Sequence, residues 1–301
     1  MKRTEPLRYE DLTLDKAKEI ADTRGIILVP AATTEGHGNH LPLSTDSLIA
    51  EYLCAELSKR TGLPAMIPSP IRCGCSPSFH WDTKGNPMFG TLAIRHSTMH
   101  ALVSDLCRGL WASGFRKIIF VQSHGQEWNF QTIVHEVATE LRREGINLFI
   151  VGATYWELCR KEIEQYISAP FWHADEWETS AAKFIRPDLV VPEAAEGMNR
   201  TVHFDKSIMK RSVCMDESDA FAVQDVASWC NIPVPGELHS GVGTKESIDS
   251  ATAEKGERVL SAAIERYLVL LRDLERYYAP NEVPGIDVTE RSAEPRFTVD
   301  Y

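Results

Sequence analysis

The sequence predicts an α/β fold: a single layered domain with a mainly parallel central sheet flanked by helices. Three observations lead there. Runs such as Ile26-Ile27-Leu28-Val29 and Ile118-Ile119-Phe120-Val121 are short, uncharged and rich in β-branched residues, as buried strands are. Stretches with helical spacing lie between them, and strands alternating with helices pair in parallel beneath helices on both faces. Finally, 301 residues with 43% hydrophobic and 25% charged side chains are an ordinary globular composition, with enough chain for one large core or two small ones.

Taken in order, residues 14–23 read as a helix and 25–29 as the first strand. Pro30 marks that strand's end, because proline cannot donate to a sheet ladder. A polar turn carries the chain to Asp46. Residues 46–59 are helical, with Ser44 or Thr45 as the cap, and 65–68 form a short strand. The stretch 69–91 is irregular and rich in Cys, Gly, Pro, His and Trp; loops of that length are usually functional. Residues 97–113 form an amphipathic helix with Leu102, Leu106 and Leu110 on one face, ended by Gly114-Phe115. Strand 117–122, helix 127–143 and a third core strand at 147–152 come next. Residues 155–166 and 177–185 are helical, the second stopped by Arg186-Pro187. No clear pattern marks 198–240. Residues 252–278 make a long amphipathic helix capped in the Ser250/Thr252 region. The domain thus spans residues 1–280, and 281–301 form a C-terminal tail that is extended, wrapping a neighbouring subunit, or disordered.

Composition excludes several function classes. A net charge of −11 argues against nucleic acid, whose phosphates need a basic face. No apolar run reaches the roughly eighteen residues of a membrane span. Met1-Lys2-Arg3-Thr4-Glu5-Pro6 has no apolar core behind its charges, so no signal peptide is expected there. The seven cysteines contain no CxxC pair, which points to thiols in a reducing cytoplasm. Cys54 and Cys107 fall in apolar helical patterns and read as core residues; Cys73-Gly74-Cys75 is the one close pair.

The most informative segment runs from Thr34 through Glu35, His37 and His40 to Asp46. Glycines at 36 and 38 allow a tight turn, and an extended Glu35-x-His37 pair points both side chains the same way. Carboxylate and imidazole donors suit zinc, manganese or iron. Alone, Glu-x-His equally fits a solvated turn; two further segments change its weight. Ser123-His124-Gly125-Gln126-Glu127-Trp128-Asn129 is a strand-to-helix turn whose helix start offers donors to an anionic group. His173-Ala174-Asp175-Glu176-Trp177-Glu178-Thr179 could turn His173 and Glu178 into one pocket, although an acidic helix start also compensates the dipole. Ligands of parallel sheets collect at the strands' carboxyl ends, so Glu35, His37 and His124 fall on one rim. His80 is a candidate substrate contact, and Gln126, Asp175 and Glu176 would suit a polyhydroxylated ring. Trp81, Trp128, Trp172 and Trp177 either wall the pocket or pack the core. His40 supports the other ligands by hydrogen bonding, while His96, His100, His135, His203 and His239 read as surface or packing residues.

Together these segments resemble the creatininase (creatinine amidohydrolase) family. Its pattern is approximately Thr-Glu-x-His-Gly-x-His-Leu-Pro with an Asp four residues beyond the proline, an Asn-Gly-His-type turn, and His-Ala-x-x-x-Glu-Thr-Ser. The chain carries Thr34-Glu35-Gly36-His37-Gly38-Asn39-His40-Leu41-Pro42 with Asp46 in register, Ser123-His124-Gly125, and His173 through Ser180. Phe89-Gly90-Thr91 and the segment from Gly241-Val242-Gly243 to Gly256 are similar to two shorter family features, so the resemblance covers residues 25–270. It implies a layered α/β fold, two divalent metal ions and a homohexamer built from dimers, acting on a small-molecule substrate. It further implies Glu35, His37, Asp46 and His124 as metal ligands with Asp46 bridging, Glu178 as a further ligand or orienting partner, and His173 as the proton donor or acceptor.

One departure bears on the second metal and the substrate. Creatininase has Tyr-Glu after the turn histidine, where this chain has Gly125-Gln126, with Glu127 one place later. Either the second metal is bound differently, or Glu127 supplies the carboxylate through a shifted turn. The His-Gly-Gln-Glu turn looks more like a branch that hydrolyses an inositol-derived ring diketone, the 3-dehydro-scyllo-inosose hydrolases, than like a creatinine hydrolase. The alternatives are an amidohydrolase on a cyclic or linear amide, and a non-catalytic metal-bound assembly protein. A cysteine-based redox enzyme is disfavoured by the scattered thiols.

Overall fold

The computed structural model describes residues 3–75, 89–125, 127–168, 173–195 and 245–285. Three parallel strands, β1 (Ile26–Ala31), β2 (Lys117–Gln122) and β3 (Phe149–Val151), form a sheet in the order β1-β2-β3. Around it lie α1 (Leu14–Thr23), α2 (Thr45–Thr61), α3 (His96–Ala112), α4 (Glu127–Arg143), α5 (Tyr155–Leu158), α6 (Arg160–Tyr166), α7 (Glu176–Ile185), α8 (Lys245–Asp249) and α9 (Ala253–Tyr277). Ile26 and Leu28 of β1, with Ile119 and Val121 of β2, face α2, α7 and α9. The alternate residues Ile27, Val29, Ile118 and Phe120 face α3 and α4 through Met99, Val103, Cys107, Phe130 and Val137. Both faces are therefore buried, which is why the strands read as continuous apolar runs. Each buried Ile, Val or Leu contributes roughly 1.5–3 kcal/mol, so a one-residue slip in register would bring the wrong set to each face.

The α/β reading holds, and the local differences have physical reasons. β1 continues through Pro30, which lies opposite Val121. Leu28 bonds to Pro64 and Met66 on the side away from β2, and Pro30 shares that orientation, so its missing N–H costs no β1–β2 bond. Its carbonyl accepts from the Ser69 hydroxyl at 2.6 Å. Residues 65–68 make only isolated bridges through Ala65, to Arg8 and Leu28. Ser44 precedes α2 without a side-chain cap bond, while Thr45 Oγ1 donates to the Pro42 carbonyl at 2.7 Å. The buried face of α3 is Met99, Val103, Cys107 and Leu110; Leu102 is 37% exposed. β3 is a half-buried edge rather than a core strand. Cys159 divides the expected helix 155–166 into α5 and α6. The stretch 198–240 and the tail beyond residue 285 lie outside the described residues.

α9 sits close against α7 because Gly256 has no side chain. A Cβ there would lie 2.2 Å from the Ser180 carbonyl oxygen and 2.9 Å from the Ala181 nitrogen, both backbone atoms of α7. Gly256→Ala is therefore expected to destabilise the protein by about 3 kcal/mol through enforced separation of the helices. A urea midpoint unchanged from wild type would show that the crossing yields without cost.

A buried candidate metal centre

β1 and β2 end side by side, with Ala31 opposite Gln122, and the segments leaving them form one rim. The first segment closes on itself: Glu35 N–H donates to the Leu43 carbonyl at 3.1 Å, and Leu92 N–H ties Thr34 from outside at 2.8 Å. Gly38, with φ of 68°, makes the turn at a backbone angle that favours glycine. α2 then places Asp46 in its first turn, and α7 places Glu178 in its own. Ala174 takes a positive φ of 47°, and its N–H donates to Glu178 Oε2, which folds His173 back toward the rim.

Six side chains converge here. His37 Nε2 lies 3.5 Å from Asp46 Oδ1, 3.6 Å from Glu178 Oε2 and 3.9 Å from Glu35 Oε1. His124 Nδ1 lies 3.1 Å from Glu35 Oε1 and 3.2 Å from Asp46 Oδ2. His173 Nδ1 is 3.6 Å from Glu35 Oε1 and 4.0 Å from Glu178 Oε2. Three trios have donor atoms within 4.8 Å of one another: Glu35-Asp46-His124, His37-Asp46-Glu178 and Glu35-His37-His173. Asp46 belongs to the first two. His37 Nδ1 donates to the Glu35 carbonyl at 3.1 Å, and His173 Nε2 to the Gly36 carbonyl at 2.7 Å. A carbonyl can only accept, so in each neutral ring the other nitrogen turns its lone pair toward the carboxylates, as a metal-binding histidine's does.

Charge makes the same case. Glu35, Asp46 and Glu178 are all buried, and carboxylates out of water require compensating positive charge. Burial opposes protonation of His37, but the pull of Asp46 and Glu178 outweighs it and raises its pKa well above the ordinary range. Burial likewise opposes protonation of His124, yet Glu35 and Asp46 raise it to about 10. Burial works against the Asp46 carboxylate too, and His37 and His124 nevertheless hold its pKa low. The set thus demands cations, and its mixed carboxylate and imidazole donors fit a divalent transition metal. Metal binding would displace the protons these imidazoles attract.

The sequence model of the creatininase family (creatinine amidohydrolase) matches residues 10–271. The chain belongs to the creatininase family. The curated 3-dehydro-scyllo-inosose hydrolase of Thermotoga maritima is 25% identical over 304 aligned positions, covering 98% of this chain and 92% of that protein. Creatinine amidohydrolase of Pseudomonas putida is 25% identical over 257, covering 82% and 89%. A solved creatininase variant of Zn-Zn type shares the fold with a TM-score of 0.66 at 21% identity, covering 90% of this chain and 98% of its own. As a creatininase-family member the chain is a metal-dependent hydrolase with a single-domain α/β fold.

Around this creatininase-type centre the other sequence candidates divide. Asp175 is buried as the N-cap of α7, its Oδ1 accepting from Trp177 and Glu178 N–H. Glu176 is likewise committed, accepting from the backbone and hydroxyl of Ser168 and pairing with Lys255. Trp177 belongs to the core and donates from Nε1 to the Tyr155 hydroxyl. His80, Gln126 and Trp172, with Trp81, and the side chains of Glu127 and Trp128, lie outside the described residues. Burial pushes the thiols of Cys75, Cys107 and Cys159 up to about 12, which further disfavours a redox role. Sequence reasoning passed over Ser123, whose only signal was its place beside His124.

His40 is 1% exposed, and its Nε2 meets Thr179 Oγ1 at 3.1 Å. Burial and the neighbouring His37 lower its pKa from 6.5 to about 4. The unfolded chain binds the extra proton between these values, so His40 stabilises the fold fully above the unfolded value. That contribution is lost as the pH falls through the folded one. The urea midpoint is expected to drop between pH 6.5 and 4 more steeply in wild type than in His40→Gln; equal slopes would remove His40 from the account.

Proposed function

We propose that the centre holds two divalent metal ions, zinc, manganese or iron, with Asp46 shared between them. Glu35 and His124 complete one set, and His37 and Glu178 the other. The observation that carries this reading is Asp46's membership of two donor trios, with His37 facing one carboxylate oxygen and His124 the other. Among the described residues, Glu178 is the carboxylate that joins Asp46 beside His37. Ions held this way supply a nucleophilic water near pH 7 and draw negative charge from a substrate carbonyl.

The chain's own residues do the rest. The backbone carbonyl of Glu35 orients His37, and burial keeps bulk water from the carboxylates. His173, whose side chain is 15% exposed, is held by Gly36 through Nε2 and presents Nδ1 to the centre. There it takes a proton and returns it to the leaving atom. This position disfavours a non-catalytic assembly protein, since a closed structural site has no use for a proton carrier.

The substrate in this reading is a small polar ring ketone of the 3-dehydro-scyllo-inosose class, opened by C–C hydrolysis. Its support is the near-complete match, along both chains, to the relative of that name. Hydrolysis of a cyclic or linear amide is the second reading, favoured by the creatinine amidohydrolase relative. Carbonyl attack is common to both; they differ in whether the returned proton goes to carbon or nitrogen. A homohexamer and a cytoplasmic location complete the proposal, on the family resemblance and the absence of disulfides among the described cysteines. No described helix is long and apolar enough to cross a membrane. The test is incubation of the metal-loaded protein with 3-dehydro-scyllo-inosose, creatinine and formamides, following the product that has gained one water. Turnover confined to amides would replace the first reading by the second.

A further inference from the structure

We infer that Ser123 is a positioning residue that sets Asp46 and His124 relative to each other; the inference rests on the metal-centre reading. Among the described residues, no protein group outside the centre donates a hydrogen bond to either carboxylate oxygen of Asp46. Ligating carboxylates are ordinarily held by such bonds. The direction of Asp46 is therefore set through its main chain.

The buried Ser123 hydroxyl donates to the Asp46 carbonyl at 2.6 Å, across a sequence separation of 77 residues. The Ser123 N–H is tied to the Ala31 carbonyl at the end of β1, at 3.2 Å. The residue after Ser123 is His124, whose carbonyl accepts from Gln122 Nε2 at 3.0 Å. Ser47, beside Asp46, donates to the Thr33 carbonyl at 3.1 Å. One hydroxyl thus joins the first turn of α2 to the exit of β2, and through it two ligands delivered by different elements. The family-type turn has glycine before the histidine, and glycine cannot make this bond.

Without the hydroxyl, the Asp46 carbonyl keeps its bond within α2 but loses its tie to β2, and the two donors can drift apart. Loss of such support lowers metal affinity by about 10- to 100-fold. The test is equilibrium zinc titration of metal-stripped protein against a chromophoric chelator, for wild type, Ser123→Ala, Ser123→Gly and Ser123→Thr, with urea midpoints of the stripped proteins. The expected result is zinc affinity lower by about 10- to 100-fold in Ala and Gly and recovered in Thr, with turnover of the Ala variant restored by excess zinc. Wild-type affinity in Ser123→Ala, or in Ser123→Gly should the Ala variant not fold, overturns the inference. An affinity loss that merely tracks the urea midpoint also overturns it, by assigning Ser123 a general structural role. Wild-type protein that takes up no zinc, manganese or iron fails the metal-centre reading itself, a separate outcome.

Discussion

Asp46→Asn is expected to lose bound metal and activity together, with turnover falling at least about a thousandfold, equivalent to ~4 kcal/mol of transition-state stabilisation. Asp46 is the residue common to the trios Glu35-Asp46-His124 and His37-Asp46-Glu178. The exchange removes one of three buried negative charges and puts an amide NH2 where a lone pair must face a cation. The amide also lies against His37 and His124, whose nitrogens stand 3.5 and 3.2 Å from the carboxylate. Elemental analysis of wild type beside the variant checks this: close to two divalent ions per chain in the first and fewer than one in the second. A variant that kept two ions would remove Asp46 from its shared position. Retention of one would leave it serving a single set.

His173→Ala is expected to do the opposite: keep the metal and lose turnover by roughly 100- to 10,000-fold, the usual worth of a positioned acid–base group. The ring is anchored by Gly36 and stands no closer than 3.6 Å to a carboxylate, so its removal leaves Asp46, His37, His124 and Glu178 in place. Metal content should match wild type and KM should move little, because the lost interaction belongs to the transition state. Full activity in the variant would end the proton-carrier assignment. Loss of metal would instead make His173 a ligand with Glu35 and His37.

Much of this fold was legible because strands buried on both faces leave an unbroken apolar signature. Strand 117–122 and helices 14–23 and 127–143 agree with expectation to the residue. Where reading by pattern went astray, the cause was tertiary. Pro30 stays within β1 because its missing donor points away from β2, an orientation that no local pattern encodes. Of the Leu102-Leu106-Leu110 stripe of α3, Leu110 is buried, Leu106 packs in part and Leu102 is exposed, because β1, β2 and α4 select the face of Met99, Val103 and Cys107. Asp175 caps α7, a role the sequence reading did not give it, since an acidic residue before a helix has unpaired N–H groups within reach.

The amino-acid sequence alone determined the chemical inventory: strands alternating with helices, carboxylates and imidazoles beside two strand ends, and a family pattern that includes them. Which donors share a cation was decided only by the tertiary structure. Parallel pairing of β1 with β2 brings Glu35 and His124 to one rim, and the close approach of α9 to α7 at Gly256 helps fix the helix that carries Glu178. Among the described residues, Glu178 therefore meets His37 and Asp46. The physical reason is that coordination is a matter of a few ångströms between side chains far apart in the chain. Local patterning specifies the element on which each side chain sits, and packing of those elements specifies the distances.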